Sequence, residues 1–176
     1  MGPYGFAAEG LIRHRRVVVL DAIGRFRDEA PFGRWTVDPS ESLIADLQMV
    51  VRAIAAGLDG NAASEHIVIP ELRQAIIRHV AVRRGQGFDP SLVVREYHVL
   101  GDTMLQFIQK QSRQVTFSAT DAFEVIRRLN GMIDLVIRIA VDSGLQWRSA
   151  SDSVLPARRP SGSNVSKLTP VYRSSL

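Results

Sequence analysis

Apolar residues recur at helical spacing from about residue 7 to residue 147, and no stretch offers the strict alternation with hairpin turns that marks strands. The pattern predicts five helices. The first runs from Ala7 to about Ala30 with Ile12, Val19, Ile23 and Phe26 on one face, ended by Pro31 and Gly33. The second has the clearest start in the chain: Asp38 as N-cap, Pro39 at the first helical position and Glu41 closing a capping box. Its apolar stripe reads Leu43, Ile44, Leu47, Val51, Ile54 and Leu58. Asp59-Gly60-Asn61 forms a loop, and Pro70 opens a third helix with Leu72, Ile76, His79, Val80 and Arg83 along one side. Gly85 and Gly87 stop it. Asp89-Pro90 caps and starts the fourth, which carries Val93, Tyr97, Leu100, Met104, Phe107 and Ile108 inward. That helix fades between Ser112 and Thr116, and Ser118 or Thr120 caps the fifth.

The fifth helix carries two apolar seams. Phe123, Ile126, Asn130, Ile133, Ile137, Ala140, Gly144 and Trp147 follow at alternating steps of three and four, as in a coiled coil. Val125, Leu129, Met132, Val136 and Ile139 run beside them. Either neighbouring helices of the same chain cover this surface or the second seam pairs with a second copy. The second outcome is expected, because one small body covers only part of such a surface. Asn130 in the first seam suits control of register.

Composition adds few constraints. With 45% hydrophobic and 23% charged residues, 176 residues suffice for one folded domain. The absence of cysteine removes thiol catalysis, thiolate metal sites and disulfides. A sequence pI near 10.1 points toward nucleic acid until the charge is located. Residues 148–176 hold five basic side chains against Asp152 alone, whereas the rest of the chain is balanced. Nucleic acid is therefore not expected as a partner. The chain divides into a flexible N-terminus at 1–6, a helical domain at 7–147 and a basic, disordered Ser/Pro-rich tail at 148–176. The tail's apolar island, Leu168, Val171 and Tyr172, is either a docking peptide or a loose end. No signal segment or membrane span is read, so a cytoplasmic location is expected.

Catalytic motifs are missing: there is no phosphate-binding glycine loop, no zinc-protease helix motif and no nucleophile elbow. Neither an enzyme nor a metal or other cofactor is expected. Among four histidines, His79 alone stands on an apolar face, as a core residue, a pH-sensitive group or a haem ligand. Glu96 borders the buried face of the fourth helix, one turn from Val93 and Leu100, and a carboxylate there needs a partner. Arg83 and Arg84 reach it across the Gly-Gln-Gly connection, and Arg95 is its neighbour in sequence. If His79 packs against the Gly87-Phe88 turn, its ring is occupied in holding that turn rather than free for iron.

The stretch from Ile77 to Leu100 resembles the signature of the RsbRD-type N-terminal domain, found in RsbT co-antagonist proteins and sensor histidine kinases. His79, Arg84, Gln86, Gly87, Phe88, Glu96 and Tyr97 fall on the matching positions. Looser similarity extends over about residues 7–147. One departure is Gly101, which follows Leu100 where the family often has arginine. The resemblance implies an all-α, globin-like or bundle-like dimeric domain, usually without haem. It also implies an effector, a sulfate-transporter/anti-sigma-antagonist domain or a histidine kinase. Neither effector lies in this sequence, so output passes through a partner protein or the chain is a piece of a longer one. The leading expectation is a non-enzymatic sensor or adaptor domain that acts as a homodimer through protein contacts. The alternatives are a structural subunit docked by its last helix and tail, and a haem or small-ligand sensor.

Overall fold

The computed structural model describes residues 2–29, 40–59, 62–113 and 118–152, with 62–69 and 145–152 as backbone alone. The chain is all-α over these residues, with α1 at Pro3–Asp28, α2 at Glu41–Asp59, α3 at Ala62–Gly85, α4 at Pro90–Ser112 and α5 at Ala119–Asp152. No strand occurs among the described residues. α1 packs on α2 and α4, α2 packs on α3, and α5 closes the bundle across α4, α3 and α2.

Local chemistry sets most helix boundaries. Asp89 caps α4 by accepting the Ser91 and Leu92 N–H groups at 2.8 and 3.0 Å. At α5, Ser118 Oγ accepts the Asp121 N–H at 3.1 Å while Asp121 reaches back to the Ser118 hydroxyl at 2.7 Å, a reciprocal cap. The α2 start differs from the reading above. Ser40 is the residue that caps it, its Oγ accepting the Leu43 N–H at 3.3 Å. Glu41 instead receives a two-pronged bond from Arg16 at 2.9 and 3.0 Å, an exposed tie to α1. Asp38, Pro39, Pro31 and Gly33 lie outside the described residues.

Two further boundaries move. α1 begins at Pro3, four residues before the predicted start, and departs from helical geometry at His14, with φ −108° and ψ 15°. Leu11 rather than Ile12 then faces the core, and Ile12 is 40% exposed. α3 begins at Ala62 and carries Pro70 within it. Proline removes one N–H and crowds the carbonyl four residues back, a cost that a helix continuing on both sides can absorb through its packing.

The predicted stripes of α2 and α4 form the centre of the core. Leu43, Leu47, Ile54 and Leu58 are buried, as are Tyr97, Leu100 and Met104, all in one apolar cluster. Small residues let α5 approach. A Cβ on Gly57 would stand 2.7 Å from Met132 Cε, and one on Gly101 would stand 3.1 Å from Ile133 Cγ1. Gly101, the departure from the family pattern, thus makes room for an α5 isoleucine.

The second seam of α5 faces inward, which corrects its assignment as a surface for a second copy. Val125, Leu129 and Val136 are buried, and Met132 and Ile139 are packed against the same core. The area argument for a partner fails because α2, α3 and α4 all flank this helix. Asn130 is exposed and holds no buried register. Leu129→Ala is therefore expected to cost about 2–5 kcal/mol in urea unfolding, the range for a leucine removed from a packed core. Val136→Glu should abolish the cooperative melt. A Val136→Glu protein that melts like wild type and changes only its mass in solution would contradict this packing.

Candidate functional site

α3 ends and α4 begins at a sharp joint, and the residues singled out from the sequence converge there. The turn has the hydrogen bonding of a Schellman motif. Phe88 N–H donates to the Arg83 carbonyl at 3.0 Å and Gly87 N–H donates to the Arg84 carbonyl at 2.8 Å. Gly87 has φ 83°, the left-handed conformation that glycine adopts without a Cβ penalty. A contact between the third-from-last helical position and the residue after the glycine accompanies this motif. Here it is the Arg83 guanidinium lying 4.7 Å over the Phe88 ring. The Gln86 side chain completes the turn by accepting from Arg83 Nη1 at 2.8 Å.

Inside the joint lies Glu96, 3% exposed. Its Oε2 accepts from Arg83 Nε at 2.9 Å and from His79 Nε2 at 2.9 Å, and its Oε1 accepts from Arg83 Nη2. An ionised carboxylate only accepts, so His79 carries a proton on Nε2. Burial on its own would raise the Glu96 carboxyl. The His79 and Arg83 groups beside it outweigh that and hold it down at about 2. With three donors on two oxygens, this carboxylate is engaged as a tie between helices rather than free to take a substrate's proton.

Two aromatic contacts surround the tie. The Tyr97 ring is fully buried with its centroid 5.2 Å from that of His79, and Phe88 lies 6.0 Å from Phe26 of α1. Burial raises the Tyr97 hydroxyl well above its ordinary range, with the negative charges of Glu96 and Asp46 adding to the effect. Among the described residues neither His79 Nδ1 nor Tyr97 Oη has a protein hydrogen-bond partner, although both are buried.

The structure thus brings together His79, Gln86, Gly87, Phe88, Glu96 and Tyr97. The arginine of the tie is Arg83, and Arg84 is exposed, contributing its carbonyl to the turn. The one-residue difference follows from helical phase: Arg83 is four residues after His79 and shares its face. Arg95 points the other way, bonding Glu29 at 2.8 and 3.0 Å and tying α4 to the end of α1. Among the described residues His79 bonds Glu96 and sets its ring against that of Tyr97. One buried charge was missed. Asp46, 7% exposed, pairs with Arg78 at 2.8 Å and joins α2 to α3. Its position among Leu43, Leu47 and Val50 was the available signal. Leu168, Val171 and Tyr172 lie outside the described residues. Among the described residues no group of three potential ligands is placed to hold a metal ion, and no helix is long and apolar enough to cross a membrane.

The described residues thus form an all-helical body in which the residues singled out from the sequence close a buried joint. The sequence profile described as RsbT co-antagonist protein rsbRD N-terminal domain matches residues 17–159, and the chain belongs to that family. No curated protein and no solved structure matches it.

Removing one member of a buried ion pair leaves the other charge unpaired, which costs about 3–5 kcal/mol. Arg83→Met is expected to lose that much in denaturant unfolding, and Arg83→Met with Glu96→Leu to recover most of it. A double variant no more stable than the single would show that the charge pairing is not what holds the joint. The pH dependence follows from Glu96. Its folded value lies below the ordinary 4.5, so its contribution is complete above that value and is lost as pH falls toward about 2. The wild-type melting temperature should fall more steeply over this interval than that of the double variant, as read by circular dichroism.

Proposed function

We propose that this chain is a non-enzymatic signalling domain that associates with itself and passes its state to a protein partner or an effector domain. The switchable element is the α3–α4 joint. Family membership supports the signalling role, and one observation carries the rest: the signature residues are spent on a buried ionic tie between two helices. A tie of that kind has discrete made and broken states, which a switch requires. The output partner carries the activity, and the site of action is the cytoplasm.

The test is co-purification of the full-length chain from its native source, wild type against Glu96→Gln, with folding of both checked by circular dichroism. Wild type is expected to self-associate and to retain a protein partner in stoichiometric amount, and Glu96→Gln to change that recovery at least several-fold. A wild type that is monomeric and recovers no protein partner, or recovery that Glu96→Gln leaves untouched, would overturn the reading.

A further inference from the structure

The outward face of α1 is unusual for a surface helix. Val17 is 62% exposed and Leu20 is 42% exposed, and the two stand one turn apart. They lie on the seam Val17, Leu20, Gly24 and Arg27-Asp28, at steps of three, four and three, and exposed Arg13 stands just before the departure from helical geometry at His14. This seam runs opposite the buried positions Val18, Val19, Ala22 and Phe26. A Cβ added to Gly24 would meet nothing within 4 Å, so the seam holds a gap beside its two apolar side chains.

The seam is complementary to its own inverted copy. Laying a second α1 antiparallel across it, with residue pairs summing to 41, places Leu20 beside the two-fold axis and Val17 against the partner's Gly24. The same register sets Arg13 against the partner's Asp28 twice, and Arg27 opposite His14. In the single chain, Arg13 bonds Glu9 one turn away and Asp28 is 3.8 Å from adjacent Arg27, and both stand in solvent. An isologous contact needs this pattern, in which a knob, a gap and opposite charges exchange places under a two-fold axis.

We propose that the outward face of α1, centred on Val17, Leu20 and Gly24, is the surface on which a second copy of this chain docks antiparallel. The proposal rests on the self-association inferred above and replaces α5 as its site. From residue 15 to Asp28 the face is about 21 Å long at ~1.5 Å per residue, so the contact belongs with small interfaces.

Sedimentation velocity of the full-length chain from ~5 to ~200 μM tests this, a range that brackets micromolar association. Wild type is expected to shift from monomer to dimer. Val17→Glu with Leu20→Glu should remain monomeric throughout with the helical signal intact. Gly24→Leu, which meets open space in the single chain, should melt no lower than wild type and still weaken association at least tenfold. Arg13→Asp and Asp28→Arg should each weaken it severalfold, and the two together should restore it, because the exchanged charges would again face their opposites across the two-fold axis. Dimers unaffected by these changes would overturn the α1 site while leaving self-association standing. A wild type that is monomeric across the range would overturn both.

Discussion

The arrangement of α3 and α4 depends on the need of one carboxylate. Glu96 is sequestered from water at a cost that only compensating donors offset. Arg83 supplies charge and two of the donors, and His79 supplies the third. Arg83 also serves the backbone, since its carbonyl receives the Phe88 N–H that closes the turn. One residue therefore fixes both the end of α3 and the partner of Glu96. Gln86 and Phe88 hold the guanidinium from two other sides. The spacing from His79 to Tyr97 follows from building this joint once: two helical faces, a left-handed glycine and a ring beneath an arginine.

Much of this was legible in the sequence because it is local. The Asp89-Pro90 start, the Gly87 stop and the apolar stripes of α2 and α4 are short-range signals, and the structure keeps them. Glu96 stood out because a carboxylate on an apolar face breaks the pattern, and Arg83 was among its named partners. Choosing Arg83 over Arg84 needed only the phase of α3, since Arg83 stands four residues after His79 on the same face. A different limit applies to α5. Its two seams are evident in the sequence, but whether a neighbour or a second copy covers one is a property of the assembled bundle. Gly57 and Gly101 decide this by admitting Met132 and Ile133, and neither glycine is marked in its own helix as a contact point. Asp46 was missed for the converse reason: its partner Arg78 lies one helix away, and the stripe around it looked complete without it.

An ionic joint also sets the character of any motion there. An apolar contact between helices tolerates sliding in small steps, because neighbouring arrangements bury similar areas. A buried carboxylate held by three donors has no such continuum, since a displacement that breaks its bonds exposes the full cost of unpaired groups. A tie of that kind is either made or broken, which is the behaviour expected of a two-state element.

Contacts already present connect this joint to α1. Phe26 leaves the inner face of α1 and meets Phe88, whose ring carries the Arg83 guanidinium. Arg95, one residue before Glu96, bonds Glu29 just past the end of α1, and Arg25 bonds Gln106 further along α4 at 2.6 Å. Contiguity of this kind supplies a route but not a coupling energy, which requires that both sites bias the same two-state element. In the proposed dimer that condition has a physical form. Antiparallel docking fixes the position of the outer half of α1, and with it Phe26 and Glu29, so a joint that must shift these residues to open is favoured or opposed according to whether the second copy is present. Linkage then runs both ways: a change that opens the joint must alter self-association by the same factor by which self-association alters the joint.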